Sequence, residues 1–439
     1  MVPNDERRNF LKSAAATAAF TTNIFTGQVR GANDKVSAAF IGVGRMGSAN
    51  MGHAMRQENL QVAAVCDVFE PNLEAAVART QGKAKAVRDF REILADKSID
   101  VVCIATPDHW HAYMTVEACK AGKDVYVEKP VSVCIDEGKR MIEAARKYKR
   151  VVQAGTMQRS AVHFQKAVEI VKSGALGKIS FVRTWNTGMS APAGIGNPAD
   201  ANAPQNLNWD MWLGPAPKRA YNANRFGIDQ EQVNRQRWFP HFRWFWETGG
   251  GMMTDWGVHW LDIVQFAFDE QMLTSAVALG GKYFIQDNRE TPDTLQVTYE
   301  YPGGMVAVYE NRMGSGLANP YERGGGITFQ GTNGTLYVDR PMYRIIPEPK
   351  SDLQAVEVKS TDSGNDRHWK NFLECVGTRG TPISDIERCH RSSSTCHLGN
   401  IALRSKMRVD WDDAKGLITQ TEARKYQMRE YRKPWKLVV

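Results

Sequence analysis

The chain has 439 residues, of which 42% are hydrophobic and 24% are charged, and its formal net charge is +8 at pH 7. This length and apolar content are enough for the two sizeable cores of a soluble two-domain protein. The basic excess is scattered, without an arginine stripe or a nucleic-acid-binding motif, and therefore predicts a solvated surface and no nucleic-acid partner. The seven cysteines are an odd number without C-x-x-C spacing, which argues against a disulfide framework.

Residues 1–33 resemble an export signal. Arg7 and Arg8 are followed by Asn-Phe-Leu-Lys, then by a mild alanine-rich stretch from residue 13 to residue 25, and then by small and polar residues. This order is typical of a twin-arginine signal, and the apolar stretch is too short to span a bilayer. We therefore expect an exported, periplasmic protein with no stable membrane span in its mature form, and we exclude these residues from the fold.

A glycine-rich turn follows the first apolar run of the folded part. Gly42, Gly44 and Gly47 form G-x-G-x-x-G before a helix-compatible segment, and Asp67 ends the next apolar run about 20 residues later. This is the full dinucleotide-binding fingerprint, because the glycines permit a tight turn and let a pyrophosphate approach the N-terminus of the helix. Asp67 is placed to accept hydrogen bonds from the adenosine ribose. No Arg or Lys follows it in residues 68–71, so the pattern predicts NAD rather than NADP.

Residues 34–157 alternate between apolar runs and helical segments. Strands are predicted at Val101–Thr106 and Asp124–Glu128, with helices over Ala112–Ala121 and Ile135–Tyr148. Strands joined by single helices pair in parallel, which predicts an α/β domain with a Rossmann doubly wound sheet. Ligands of such sheets bind beyond the carboxyl ends of the strands.

Residues 158–439 predict a second, α+β domain on a large, mostly antiparallel sheet. A helix over residues 250–268 precedes a run of strands joined by turns, among them Pro302-Gly-Gly304. The predicted strands are Ser275–Phe284, Leu295–Tyr301, Met305–Asn311 and Ile327–Asp339.

Three further motifs carry a family resemblance. They are A-T-P-D-H-W-H at residues 105–111, E-K-P at 128–130 and D-W-G-V-H-W-L-D at 255–262. A Rossmann domain followed by these motifs resembles the Gfo/Idh/MocA oxidoreductase family over the whole folded part. The resemblance implies hydride transfer between a secondary alcohol of a sugar or cyclitol and a nicotinamide cofactor. Exported relatives such as glucose–fructose oxidoreductases retain that cofactor, and relatives commonly form homo-oligomers through the second-domain sheet.

The resemblance also implies a catalytic group of Lys129, Asp255 and His259. Lys129 matches the lysine beside the nicotinamide, and Asp255 and His259 are i and i+4 on one predicted helix, so their side chains share a face. Oxidation of an alcohol requires a base for the hydroxyl proton, and either His259 or Lys129 could be that base. Asp255 would orient the pair and balance its charge.

The remaining predictions concern contacts with the cofactor and the substrate. His111 is expected near the nicotinamide ribose. No metal site is expected at His109 and His111, because their side chains diverge if they lie at a strand end. None is expected at Cys389-His390 and Cys396-His397 either, because these pairs have poor ligand spacing. Aromatic side chains beside basic ones suit a carbohydrate, whereas Trp209 and Trp212 are expected to be a packed loop. The predicted cofactor-binding residues are Gly42, Gly44, Arg45, Met46, Gly47, Asp67, Thr106, Pro107, His109, His111, Glu128, Lys129 and Gln158. The predicted substrate-binding residues are Arg243, Trp244, Trp246, Asp255 and His259.

Two alternatives stay open. The first is an NAD-dependent glycoside hydrolase, in which transient oxidation of a sugar carbon acidifies the neighbouring C–H, elimination cleaves the glycosidic bond and the hydride returns. N-acetylgalactosaminidases of this type carry Thr-His-Gly where this chain has Asp-Trp-Gly-Val-His at residues 255–259, which weakens this alternative. The second is a non-catalytic NAD- or sugar-binding protein, against which the joint presence of Lys129, Asp255 and His259 argues.

Overall fold

The computed structural model describes residues 35–188, 194–226, 241–314 and 323–439, so the predicted export signal lies outside the described residues. The strands of the N-terminal part are β1 (Val36–Ile41), β2 (Leu60–Cys66), β3 (Lys85–Val87), β4 (Val101–Ile104), β5 (Asp124–Val127) and β6 (Val152–Ala154). Its helices are α1 (Arg45–Ala54), α2 (Glu70–Arg79), α3 (Phe90–Ala95), α4 (Asp108–Lys120) and α5 (Ile135–Lys147).

These strands form a parallel sheet in the order β3-β2-β1-β4-β5-β6. That order is the Rossmann arrangement, in which the order of the strands reverses between β1 and β4 and leaves a crevice at their carboxyl ends. Every residue of β4 and β5 is buried, as expected of central parallel strands covered by helices on both faces. The predicted Rossmann fold is therefore confirmed.

The second part contains a large sheet. Its strands are β7 (Ile179–Thr187), β8 (Ser275–Gly281), β9 (Thr294–Tyr301), β10 (Met305–Arg312), β11 (Gly325–Gly331), β12 (Gly334–Val338), β13 (Met342–Pro347), β14 (Val356–Lys359), β15 (Val409–Asp412) and β16 (Leu417–Ile418). Its longer helices are α6 (Val162–Lys172), α7 (Val258–Ala267), α8 (Asn365–Thr378) and α9 (Ile386–Ser405). Short helical turns are found at Met157–Ser160, Trp209–Leu213, Ala223–Phe226, His241–Trp244 and Thr421–Arg424.

The sheet order is β14-β13-β12-β11-β7-β10-β9-β8-β15-β16, and β7 and β10 pair in parallel while the other pairs are antiparallel. The helices α6, α7 and α9 contribute Phe164, Leu261 and Leu398 to the same core as the inner face of the sheet. The predicted α+β second domain with a mostly antiparallel sheet is confirmed.

Several predicted boundaries are wrong for identifiable reasons. The predicted strand over residues 327–339 is a hairpin, β11 and β12, because Gly331-Thr-Asn-Gly334 supplies the residues of a tight turn. The first strand of the run ends at Gly281, since the backbone N–H groups of Tyr283, Phe284 and Ile285 donate to the Asp293 carboxylate instead of to a neighbouring strand.

The helix predicted from Ala112 begins at Asp108 instead. Pro107 precedes the first turn with a φ of −57°, which suits the entry to a helix, and Asp108 places a carboxyl near the positive end of the helix dipole. His109 and His111 therefore lie in a first helical turn and not at a strand end. The other predicted helix, over 250–268, contains a wide π-type turn at residues 253–257, which continues directly into α7.

The helix α8 returns to the Rossmann sheet after the second sheet is complete. Trp369 is 1% exposed and stacks on Tyr126 of β5 with ring centroids 4.5 Å apart. Its indole N–H donates to Asn50 of α1, and Asn50 in turn donates to Glu128 at the end of β5. Phe372 belongs to the same apolar cluster, so one face of the nucleotide-binding sheet is covered by a distant part of the chain.

All seven cysteines lie in the described part of the chain, where they are buried and unpaired. Within that part, no helix has the length and apolar character needed to cross a membrane.

Candidate active site

A cleft of about 990 Å³ opens at the carboxyl ends of β1, β2, β4 and β5. It is lined by the glycine turn and by residues from both domains. The predicted site residues that line it are Gly42, Gly44, Arg45, Met46, Asp67, Thr106, Pro107, His111, Glu128, Lys129 and Arg243.

The glycine turn has the close approach that a bound pyrophosphate requires. Gly42 has a φ of +81°, and a side chain there would place its Cβ 2.7 Å from the Thr106 backbone nitrogen. At Gly47 a Cβ would lie 1.8 Å from the Gly42 carbonyl oxygen. The Thr106 hydroxyl is buried in the cleft wall without a hydrogen-bond partner among the described residues. These features fit a dinucleotide held against the N-terminus of α1.

Asp67 fastens the turn at the carboxyl end of β2. Its carboxylate accepts hydrogen bonds from the backbone N–H groups of Val43 and Phe69, both at 2.9 Å. Burial raises the pKa of Asp67 to about 6, against the effect of these N–H donors. Arg88 also lines this end of the cleft, where it is ion-paired with Glu70.

Lys129, Asp255 and Arg243 form a buried ion cluster where the cleft meets the second domain. The Lys129 ammonium donates to Asp255 Oδ1 at 2.8 Å and to the Asp255 carbonyl oxygen at 2.7 Å. Arg243 Nε contacts the same Oδ1 at 2.7 Å. Burial alone would raise the pKa of Asp255, but Arg243 and Lys129 hold it well below its usual range, so Asp255 is ionised. The carboxylate therefore fixes two cations at the cleft wall.

His259 lies one turn beyond Asp255, at the start of α7. It is 6% exposed, and neither ring nitrogen is hydrogen-bonded to a described residue. Burial lowers the pKa of His259 well below its usual value, and the charges of Lys129 and Arg340 lower it further. His259 is therefore a neutral imidazole at neutral pH, with acceptor capacity that the protein itself does not use.

Two acidic residues of the cleft complete its electrostatics. Asp108, which the sequence analysis missed, is 3% exposed and lines the cleft near Lys129 and Arg243. Burial raises its pKa to about 7, although the two cations act in the opposite direction. Glu128 accepts from Asn50 at 2.8 Å and from the Lys129 backbone N–H at 3.2 Å. The position of Asp108 at a strand-to-helix junction beside Pro107 was the signal that could have identified it.

The two histidines of the 105–111 motif separate. His111 lines the cleft with its ring nitrogens 2.7 Å from the Pro130 carbonyl oxygen and 2.9 Å from that of Thr106. A neutral imidazole has one N–H, so only one of these contacts is a hydrogen bond in that state. His109 is fully buried and its Nε2 is 2.9 Å from the Trp212 carbonyl oxygen, outside the cleft lining. The role of His109 as a cofactor contact stays a prediction, and the structure places its side chain away from the cleft.

Six other predicted site residues also lie outside the cleft lining, namely Gly47, Gln158, Trp244, Trp246, Asp255 and His259. Trp244 is completely buried and its ring packs against the guanidinium of Arg289, with the Arg289 Cζ 4.7 Å from the ring centroid. Trp246 is stacked with Arg404 at 4.8 Å. Gln158 is 2% exposed and donates to the His259 carbonyl oxygen at 3.1 Å, so it supports the catalytic helix. Packing between elements, which an aromatic-rich segment does not reveal, directs these side chains inward.

No group of three or more His, Cys, Asp or Glu side chains in the described ranges is arranged to hold a metal ion. Trp209 and Trp212 stack on each other at 4.6 Å, as expected of a packed loop, and Trp212 also reaches the cleft wall.

The family comparison agrees with this geometry. The model of the Gfo/Idh/MocA oxidoreductase family with an NAD-binding Rossmann fold matches residues 36–156, and that of its C-terminal α/β domain matches residues 160–437. The chain belongs to the Gfo/Idh/MocA oxidoreductase family. Its N-terminal domain is the NAD-binding Rossmann domain of that family.

Curated relatives resemble part of this Gfo/Idh/MocA protein. An inositol 2-dehydrogenase of Salmonella typhimurium is 33% identical over 145 residues, which are 33% of this chain and 43% of that protein. A glycosyl hydrolase family 109 protein of Shewanella baltica is 27% identical over 208 residues, 40% of this chain and 44% of that protein. Each match thus spans less than half of the relative's length.

Solved structures share the fold of the whole protein. The WlbA dehydrogenase of Bordetella pertussis, solved with NADH and UDP-GlcNAcA, has a TM-score of 0.63 at 19% identity and covers 86% of this chain and 99% of its own. Levoglucosan dehydrogenase, solved with NADH and levoglucosan, has a TM-score of 0.64 at 17% identity with the same coverage. At these identities the likeness concerns the fold alone.

Proposed function

We propose that this protein is an NAD-dependent oxidoreductase that transfers hydride between a secondary alcohol of a sugar or cyclitol and a tightly held cofactor. The observation that carries the proposal is the buried cluster of Lys129, Asp255 and Arg243 at the wall of the nucleotide cleft, with the neutral His259 one turn away. The curated inositol dehydrogenase and the solved levoglucosan dehydrogenase, which are named for substrates of this chemical class, support it.

The residues divide the chemistry between them. The nicotinamide, when bound in the cleft, would take up or return the hydride of the carbinol carbon. His259, a buried neutral imidazole, accepts the hydroxyl proton as the hydride leaves. Lys129, held by Asp255, donates a hydrogen bond to the substrate oxygen and stabilises the negative charge that develops on it.

The test is single-turnover reduction of the bound cofactor by a panel of sugars and cyclitols. Lys129→Ala and His259→Ala should each lower this rate by about two orders of magnitude or more while the NAD content of the purified protein is largely unchanged. Lys147→Ala, in the last turn of α5, is the matched control. Near-normal rates in both site variants would contradict the assignment.

The preference for NAD over NADP rests on Asp67. Its carboxylate at the end of β2 would repel a 2′-phosphate, and Arg88, one of the cations of the cleft wall, is ion-paired with Glu70. Heat-denatured native protein should release NAD or NADH and little NADP. Asp67→Ala should weaken NAD binding more than NADP binding, and recovery of mainly NADP from the native protein would contradict this preference.

A glycoside hydrolase is the second candidate, favoured by the similarity to the family 109 protein. Both functions begin with the same hydride transfer, so cofactor reduction alone does not separate them. An oxidoreductase given one sugar should stop after one turnover with NADH bound and restart when a keto-sugar is added. A hydrolase should release aglycone from an aryl glycoside continuously, without an acceptor and without net NADH, and that result would replace our first proposal.

We also propose that the protein is exported and associates through its second sheet. The arginine pair at residues 7–8 supports export, and replacing both by lysine should retain the protein in the cytoplasm in a fractionation assay.

On β8, Val277 is 43% and Leu279 is 83% exposed, which is apolar surface suited to a homo-oligomer contact. Leu279→Glu should lower the mass measured by light scattering, and an unchanged mass would exclude this face.

A further inference from the structure

A second cleft, of about 910 Å³, lies behind the catalytic helix at one end of the large sheet. Its walls come from the ends of β7 and β11 and from the turn between β12 and β13, and its floor includes Trp256. Neither the hydride-transfer mechanism nor the nucleotide site uses it. Arg340 is the residue of this cleft that lacks a counter-charge.

The Arg340 guanidinium is largely buried without an acidic partner. Its Cζ lies 4.4 Å from the centroid of the Trp256 ring, and its Nε donates to Gln158 Oε1 at 3.3 Å. Among the described residues no carboxylate is within ion-pair distance of it. Burial lowers the pKa of Arg340, and the more distant charge of Asp255 offsets this only in part.

Two fully buried arginines of the same domain are paired. Arg159 contacts Asp262 at 2.7 Å, and Arg289 contacts Asp287 at 2.7 Å. Buried charges are normally paired in this way, because an unpaired ion loses its hydration without recovering the energy. The exception at Arg340 therefore points to a counter-ion that the described residues do not supply.

Arg340 is connected to the proposed proton acceptor by two routes. Trp256 contacts both residues, since its ring centroid is 5.6 Å from that of His259. Gln158 also bridges them, because it accepts from Arg340 and donates to the His259 carbonyl oxygen. A ligand group held by Arg340 would thus lie beside the reacting end of the site.

The cations that act on His259 include Arg340 as well as Lys129 and Arg243. Lys129 and Arg243 share the Asp255 carboxylate, whereas no carboxylate of the described residues lies within ion-pair distance of Arg340. This arrangement favours a substrate that brings negative charge to Arg340. Gln158 contacts only the Nε of Arg340, so an edge of the guanidinium is open to the two oxygens of a carboxylate. A carboxylate matches the single charge of Arg340, whereas a phosphate monoester carries a charge of about −2 at pH 7.

We propose that the substrate is a sugar acid whose carboxylate pairs with Arg340 in the second cleft while its reacting hydroxyl lies at His259. This inference rests on the proposed oxidoreductase function and narrows its substrate class from sugars in general to uronic and aldonic acids. Arg340 then determines specificity and has no role in the transfer of hydride or proton.

The test compares uronic and aldonic acids with their methyl esters, the parent neutral sugars and glucose 6-phosphate. Direct binding to the NAD-loaded protein is measured by calorimetry, and single-turnover cofactor reduction is measured separately. At least one acid should bind and react with a kcat/KM at least tenfold above that of its methyl ester and above that of the phosphate ester. This preference should fall as salt concentration rises.

Two variants of Arg340 and one control separate charge from structure. Arg340→Gln should reduce the acid-to-ester ratio of kcat/KM at least tenfold, and Arg340→Lys should restore part of it, because lysine keeps the charge but lacks the planar fork. Arg344→Gln removes the same charge from an exposed ion pair on β13 and should leave the ratio unchanged. Melting curves of all three variants show whether they are folded.

The outcomes distinguish this inference from the proposed function. Binding of an acid that depends on Arg340, without cofactor reduction by any sugar, would refute the oxidoreductase function and keep the carboxylate site. Four other results would each overturn the inference. They are cofactor reduction by neutral sugars with no preference for acids, a preference for acids that survives Arg340→Gln, a preference for the phosphate ester, and no binding of any acid.

Discussion

Replacing Asp255 by asparagine removes one negative charge and almost no volume from the centre of the site. The side chains of Lys129, Arg243 and Asp255 are 6%, 9% and 7% exposed, so water cannot substitute for the lost partner. Breaking a buried ion pair by removing one member costs about 3–5 kcal/mol, because the remaining charge stays buried and unpaired. We therefore expect Asp255→Asn to lower the free energy of unfolding of the cofactor-free protein by about 3–5 kcal/mol at pH 7.

The assay is urea denaturation followed by near-ultraviolet circular dichroism at several pH values. Because the folded-state pKa of Asp255 lies below its unfolded value, its contribution is present above the unfolded pKa, about 4, and is lost as the pH falls towards the folded value. The difference between wild type and variant should therefore be constant above about pH 5 and shrink below about pH 4.

Glu357→Gln is the matched control for Asp255→Asn. It removes one partner of an exposed ion pair, where Arg344 and Glu357 are 47% and 45% exposed, and should cost at most about 1 kcal/mol. An Asp255→Asn effect no larger than this control, or one that does not diminish at acid pH, would refute the reasoning that Asp255 compensates two buried cations.

Three further perturbations test other parts of the structure. Gly47→Ala should lower the NAD content of the purified protein at least tenfold, because the new Cβ would lie 1.8 Å from the Gly42 carbonyl oxygen. Gly380→Ala is the control and should retain NAD. Its Cβ would meet only the Thr378 hydroxyl at 3.1 Å and the Cys375 sulfur at 3.9 Å. Asp108→Asn should raise the free energy of unfolding relative to wild type by up to about 4 kcal/mol at pH 8 and by little below about pH 4. The reason is that folded Asp108, with a pKa of about 7, holds its proton more tightly than the unfolded chain. Denaturant titrations at both pH values would contradict this if the difference between variant and wild type did not change with pH. Trp369→Ala should destabilise the protein by about 3–5 kcal/mol in the same titration and also reduce NAD retention, and a change in neither quantity would contradict its contact with the nucleotide sheet.

The nucleotide-binding part could be predicted because its signals are local. Gly42, Gly47 and Asp67 lie within 26 consecutive residues, and the backbone geometry of one strand–turn–helix unit determines their spacing. The motif residues Lys129 and Asp255 could be paired only through the family resemblance, since they are far apart in the chain and meet where the two domains contact each other.

The predicted contacts that the structure places outside the cleft lining include side chains whose direction depends on distant packing. Trp244 and Trp246 precede the catalytic helix in the chain, yet arginines from other segments cover their rings. His109 faces Trp212 because α4 begins one turn earlier than the helix propensities of residues 108–111 suggest. Arg340 could not be identified from the sequence, because an unpaired cation is recognised only when the surroundings of all the others are known.

The contact of α8 with the Rossmann sheet has a consequence for biosynthesis. A ribosome that has released residues 36–156 has produced every strand of the nucleotide-binding sheet but not Trp369 or Phe372, which cover one of its faces. Until more than 200 further residues emerge, that apolar face lacks its native cover and is open to chaperones or to non-native association. The two halves of this protein therefore cannot mature one after the other, and high-affinity capture of the dinucleotide should begin only late in translation.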